Sequence, residues 1–333
     1  LGAIALLPPL SMVAAFVGAW VTQSKPWVDR LIWLCKLVSP LVVAYPVRTL
    51  AESSIWAERQ LDFLLWLAVT AFIFERLLRA SLEALAVFSA PIAPVVAKVR
   101  GHRVFEVMPF ALVLLGAATF ALFVGYYTFQ QHHRIQSAGY DLGIYDNLMF
   151  NALHGHPYRS PVLWGSAGGN YVANHAELAQ VLFVPFYALH PGPEALLTIQ
   201  AVMMGGSVIP LYLLARTALS KLSALVIAFS WLIGAALVSP LFYDFHWLPI
   251  AVPFHLTLMY ALVTRRHRLA IFAFVMAVLI REDVGLIIAI GSTVFITTGW
   301  NKRLGVGLFV VSLLWFLFIK FMLMPSLGSW NFE

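Results

Sequence analysis

Charge and sulfur are what this chain has least of. Charged residues fill 11% of its 333 positions, against roughly 25% in a soluble domain. Hydrophobic residues make up 61%, and the mean hydropathy is +0.86. With repeated apolar runs of span length, this excludes an ordinary soluble globule and points to an all-α polytopic membrane protein. A single cysteine, Cys35, excludes an internal disulfide and a thiolate metal cage. There is no Walker loop, no GxSxG elbow and no HExxH helix, which argues against ATP-driven transport and the common hydrolases. Internal repeats and low-complexity segments are also absent. The net charge of +6 does not mark a nucleic-acid binder. The basic residues form no stripe on a polar domain; they sit between apolar runs as topology markers.

What is present falls into two parts. Residues 1–103 read as a membrane-embedded extension whose topology the sequence leaves open. Within it, 2–22 has the length of a span and lacks the basic start and cleavage site of a signal peptide. Residues 33–50 and 61–74 are apolar but interrupted or short, and 81–97, with basic residues at both ends, suits an interfacial or re-entrant piece. Residues 104–333 read as one transmembrane module. A span over 107–128, preceded by Lys98, Arg100 and Arg103, runs from cytoplasm to outside by the positive-inside rule. A long polar loop, 129–194, follows it. In that loop Leu142, Tyr145, Leu148, Met149 and Ala152 recur at helical spacing, which predicts an amphipathic helix over 141–153 lying on the membrane. Pro191-Gly192-Pro193 is a turn signal. Apolar runs then alternate: 195–215, 222–241, 248–263, 269–280, 284–299 and 304–326. Alternation puts Arg216, Lys221, Arg265, Arg266, Arg268, Lys302 and Arg303 on the cytoplasmic side. It puts Asp141, Asp146, Glu177, Asp244, Glu282 and Asp283 on the other. Several runs are shorter than the roughly 20 residues of a full crossing, so their polar ends are expected to sink into a cavity beneath the loop.

Four polar breaks hold the candidate chemistry. Asp141 suits an N-cap of the 141–153 helix, or a base. Asn174 and Glu177 have capping-box spacing, and Asp146 suits a solvated helix face. Asp244-Phe245-His246 pairs a carboxylate with an imidazole between two spans, more than a turn requires. Arg281-Glu282-Asp283 places three ionisable groups at the end of an apolar run, costly unless they are paired or in a wet cavity. Lys320, inside the last run, either snorkels to headgroups or meets a phosphate. His154, His156, His175 and His246 share a side with the carboxylates. They are the candidate ligands of a divalent metal; the plainer account is histidine at lipid headgroups.

The order of these fragments, from Gly139-Tyr140-Asp141-Leu142-Gly143-Ile144-Tyr145-Asp146-Asn147 through His154-Gly155-His156-Pro157, Asn174-His175 and Asp244-Phe245-His246 to Arg281-Glu282-Asp283, resembles a family of bacterial membrane proteins known as domain of unknown function 2079. That family is similar in layout to the GT-C glycosyltransferases. The resemblance implies a GT-C-like helical bundle in the inner membrane, with a large extracytoplasmic first loop carrying membrane-parallel helices. It implies transfer of a sugar from a polyprenyl-phosphate donor to an acceptor outside the membrane, with Asp141 at the position of the catalytic carboxylate. Asp244, His246, Glu177, Glu282 and Asp283 would then shape the sugar site, and Arg281, Lys320 and Arg159 would meet the phosphate. Two other classes stand beside this one. One is a non-catalytic scaffold subunit of a larger membrane complex. The other is a secondary transporter, disfavoured because the charges cluster at span ends and no inverted repeat shows.

Overall fold

A computed structural model of the chain describes residues 104–137, 140–160, 169–234, 238–297 and 301–328, with scattered positions between 32 and 80. Contacts divide the chain into two compact units, Leu1–Phe105 and Glu106–Glu333. In the first unit the described positions are helical and expose Leu65, Val69, Phe72 and Ile73. The expectations for 2–22 and 81–97 lie outside the described residues. No strand occurs among the described residues, and the protein is an all-α membrane protein.

The second unit carries the candidate residues. Helix α1, Val104–His133, leads into the loop, where α2, Tyr140–Leu153, forms. A short 3-10 turn, Tyr171–Ala173, and α3, Gln180–Tyr187, complete the loop. Gly192 (φ 147°) and Pro193 at the first helical position then start α4, Pro193–Gly206. This uses glycine's freedom and proline's fixed φ where each is favourable. With α5, Val208–Ala215, α4 makes an almost continuous apolar rod. Then come α6, Lys221–Leu232, and α7, Ala251–Val263, separated by two 3-10 turns. Helix α8, His267–Ile280, and α9, Glu282–Thr297, are joined by Arg281 alone, in extended conformation. Helix α10, Lys302–Phe318, passes into a π-helical turn, Ile319–Leu323, and ends in α11, Met324–Leu327.

Three rods are long and apolar enough to cross a bilayer: Glu106–His133, Pro193–Ala215 and Lys302–Leu327. Their outward faces carry Leu122, Phe123, Val202, Val310 and Leu314, all exposed, as lipid contact requires. The 12 residues of α6 and 13 of α7 are short: at 1.5 Å per residue they reach about 18–20 Å of a roughly 30 Å hydrocarbon core. The apolar run 222–241 breaks early. Helix α6 stops at Leu232, ahead of Gly234, and Ser239-Pro240 opens a 3-10 turn instead.

Contacts at the two ends of α1 show the alternation of helix direction. Near its start, Glu106 meets Lys221 at the start of α6. At its end, His133 Nε2 lies 2.9 Å from Glu194 at the start of α4, and the Gln131 amide donates to the Phe242 carbonyl at 3.0 Å. Between these ends α1 and α4 touch at Gly205, where an added Cβ would lie 2.6 Å from the Ala117 carbonyl oxygen; small residues allow such close helix approach in a membrane. The core around them includes Val113, Phe120, Met204, Tyr212 and Ala228. A larger core lies under the loop. There Leu142, Tyr145, Leu148 and Met149, the apolar stripe of α2, pack with Phe183, Phe245 and Trp247.

Candidate functional site

The polar breaks meet at the loop end of the bundle. Helix α2 starts at Tyr140, so Asp141 belongs to its first turn and is not its N-cap. The cap comes from a remote residue. Asp244 Oδ2 accepts from the Leu142 amide at 3.2 Å, while Oδ1 accepts from the Phe245 amide at 2.9 Å. A buried carboxylate is thus satisfied by two backbone donors and also faces a helix N-terminus, the favourable end for a negative charge. Gln200, a buried amide in the α4 rod, fixes the other side of this segment. It donates to the Asp244 carbonyl at 3.3 Å and accepts from the His246 amide at 2.8 Å. With the segment held so, His246 Nε2 lies 3.8 Å from Asp141 Oδ2, both side chains about one-third exposed. That is an ion-pair distance, too long for a hydrogen bond. The Tyr243 ring stacks on the imidazole, 5.8 Å between centroids and 9° from parallel.

A second group forms where α8 gives way to α9. Glu282 Oε1 faces His175 Nδ1 at 3.0 Å, and Oε2 accepts from the Ala176 amide at 3.0 Å. Lys320 Nζ lies 3.9 Å from Glu282 Oε1, presented by the π turn that interrupts the last span. Such turns re-aim side chains and are frequent at functional sites. Arg281 Nε stands 3.4 Å from Asp283 Oδ2. It makes no hydrogen bond there, and Asp283 Oδ1 is buried without a partner. The carbonyls freed at the end of α8 are taken by the Ala179 amide (to Leu279, 2.7 Å) and the Trp315 indole (to Val278, 3.2 Å). Loop, α8 and α10 are thereby locked together at this point.

Glu177 lies between the two groups. Asn174 and Glu177 do not form a capping box: α3 starts later, at Gln180, with no side-chain cap. Instead Glu177 is buried. Tyr145 donates to its Oε1 at 3.0 Å, and Tyr171 donates to the Tyr145 hydroxyl at 3.0 Å. Burial raises the Glu177 carboxyl well above the usual carboxylate range, against the lowering effects of the Tyr145 hydrogen bond and the Arg281 charge. Burial, reinforced by Glu177, also raises the Tyr145 phenol. Glu177 Oε2 and both polar atoms of Gln180 are buried without a hydrogen-bond partner. Asp146 is not simply solvated. Tyr187 donates to its Oδ1 at 2.6 Å, and burial raises its carboxyl.

The histidine candidates separate. His154 Nδ1 faces the Phe150 carbonyl, His156 is exposed, His175 joins Glu282 and His246 joins Asp141. Among the described residues no three of His, Cys, Asp and Glu assemble as metal ligands. The oxygens of Asp244 and Glu282 are engaged by N–H donors, a poor fit to a divalent cation, which needs free carboxylate lone pairs. Arg159 is exposed, its backbone bridged to Asn170, with no contact to the Glu282 group among the described residues.

Residues 131–333, which hold every group described above, match the family model described as "Predicted membrane protein (DUF2079)". The chain belongs to that family. No curated protein and no solved structure matches it. This DUF2079 chain therefore carries the membrane assignment with it, and its chemistry has to be read from its own residues. Several of those are invisible to motif reading. Tyr145 and Tyr171 look like ordinary aromatics of an amphipathic stretch. Gln200 did leave a signal: an amide inside an apolar run must find a partner.

Proposed function

We propose that the protein is a membrane glycosyltransferase that takes a sugar from a polyprenyl-phosphate donor at the loop end of the bundle, with Asp141 as general base. The carrying observation is the contrast among its carboxylates. Asp244 and Glu282 are consumed by backbone and imidazole donors, and burial pushes the Glu177 carboxyl toward its neutral form. Asp141 is partly exposed, with an equally exposed imidazole 3.8 Å away. Asp283 also has a free oxygen but faces the Arg281 charge; Asp141 has lone pairs to spare and an imidazole beside it.

In the transfer, the acceptor hydroxyl attacks the anomeric carbon and gives its proton to Asp141. The bond from that carbon to the phosphate oxygen breaks, and the lipid phosphate leaves with the electron pair. A positioned base contributes typically 10²–10⁴-fold. The leaving phosphate needs fixed positive charge, which Arg281 and Lys320 supply. Arg281 Nε stands at ion-pair distance from Asp283 without a hydrogen bond, so the guanidinium is held in place by charge and its remaining donors would meet phosphate oxygens. By the positive-inside rule the loop end faces away from the cytoplasm, here the extracytoplasmic side of a bacterial inner membrane.

The test is transfer from a labelled polyprenyl-phosphate sugar in membranes carrying the full chain. Asp141→Asn is expected to slow turnover about 10²–10⁴-fold with the protein level unchanged. Arg281→Gln is expected to raise KM for the donor. Unchanged turnover in Asp141→Asn removes the base. No turnover in the wild type, with co-purification of a partner at fixed stoichiometry, replaces the enzyme by a scaffold subunit.

A further inference from the structure

The opposite end of the bundle holds a groove that the transfer reading does not use. It lies between α7, α8 and α10 and encloses about 360 Å³. Its floor and walls are apolar, with Leu258, Leu262, Phe274, Leu308 and Val311 among them, and its end is lined by His267 and Arg303. Arg268 and Lys302 flank these two in sequence and are exposed. Among the described residues none of His267, Arg268, Lys302 and Arg303 has an acidic partner. His267 and Arg268 occupy the first turn of α8, and Lys302 and Arg303 that of α10. A cation is unfavourable at a helix N-terminus, so three uncompensated cations with an imidazole beside them, around two helix starts, call for an anion. Apolar walls leading away from them call for a hydrocarbon chain.

We infer that this groove binds an anionic phospholipid, its phosphate between His267 and Arg303 and one acyl chain along α8 and α10. Basic pockets between helices at the cytoplasmic end hold anionic headgroups in this way, and the positive-inside rule gives this end that side. Charge complementarity selects the lipid over a second protein copy, since two copies would bring like charges together. Two glycines on α10 separate the groove from the core. A Cβ on Gly305 would meet Ile296 and Phe295 at 2.9 Å, whereas a Cβ on Gly307 would meet nothing within 4 Å. Gly307 thus opens into the groove, and a larger side chain there fills it without disturbing packing.

The measurement is native mass spectrometry of the full chain in detergent, titrated with phosphatidylglycerol or with phosphatidylcholine of the same chains. Preferential retention of phosphatidylglycerol is expected. Arg303→Gln is expected to weaken it about fivefold, the effect of one basic residue near a lipid surface, and Gly307→Leu to weaken it further while leaving folding intact. Equal retention of the two lipids, or no change in Arg303→Gln and Gly307→Leu, overturns the site. Displacement by inorganic phosphate alone reduces it to an anion site without a lipid. A dimer that dissolves in Gly307→Leu makes the occupant a second copy. Binding is the readout throughout, so this result and the transfer assay fail independently.

Discussion

Glu177 is a carboxyl group placed where a carboxylate is expensive. It is buried, one oxygen receives the Tyr145 hydroxyl, and the other has no partner. Its folded-state pKa is raised, chiefly by burial. Between its unfolded pKa and that raised value, the folded chain binds the proton more tightly than the unfolded chain does. Stability is then fully present below the unfolded pKa and declines as pH rises toward the folded one, with a slope of at most about 1.4 kcal/mol per pH unit. Glu177→Gln keeps the shape and an acceptor oxygen but removes the titration. Thermal unfolding in detergent from pH 5 to pH 8 should show a falling Tm in the wild type and a flatter profile in Glu177→Gln. Identical profiles would mean that Glu177 ionises freely and is not the neutral member of the site.

At the scale of elements, the loop owes its position to a handful of long-range hydrogen bonds. Helix α2 has an apolar stripe to lay on the bundle but takes its start from Asp244, 102 residues away. Removing that carboxylate leaves the Leu142 and Phe245 amides buried and unpaired, at about 1–3 kcal/mol for each. Asp244→Ala should therefore destabilise the unit by about 2–6 kcal/mol, and limited proteolysis should cut first near α2. Asp244→Asn keeps one acceptor oxygen and should lose clearly less. Equal losses would show that the carboxylate is not the cap. This pairing also marks the limit of what local sequence carries. The helix over 141–153 was legible because its apolar residues repeat at helical spacing, and it forms as Tyr140–Leu153. The Pro-Gly-Pro turn was legible because proline fixes φ and glycine allows a φ closed to other residues. The roles of Asp141 and Glu177 as caps were drawn from spacing to their nearest neighbours, and both are displaced by partners from elsewhere in the chain. Glu282 likewise pairs with Ala176, 106 residues away. No periodicity encodes such a pairing; it exists only once the helices have packed.

For the whole molecule, alternation of charge along the chain is a statement about two faces, and the helix ends agree with it. Glu106 with Lys221 closes one end of the bundle; His133 with Glu194, and Asp141 with His246, close the other. A bilayer enforces this separation. Every basic turn must stay where it was left during insertion, because dragging an arginine through the hydrocarbon centre costs about 2.5–3.5 kcal/mol or more. The chain offers a direct way to test it, since Cys35 is its single cysteine and Cys35→Ala supplies a thiol-free background. Ile135 and His190 are exposed at the loop end; Thr217 and Arg268 are exposed at the basic end. Single cysteines at Ile135 and His190 should react in intact cells with a membrane-impermeant maleimide. Those at Thr217 and Arg268 should react only after the membrane is opened. A mixed pattern, with one loop-end position reacting from inside, would split the loop that carries Asp141 and Glu177 across the bilayer and leave the transfer reaction without a common site.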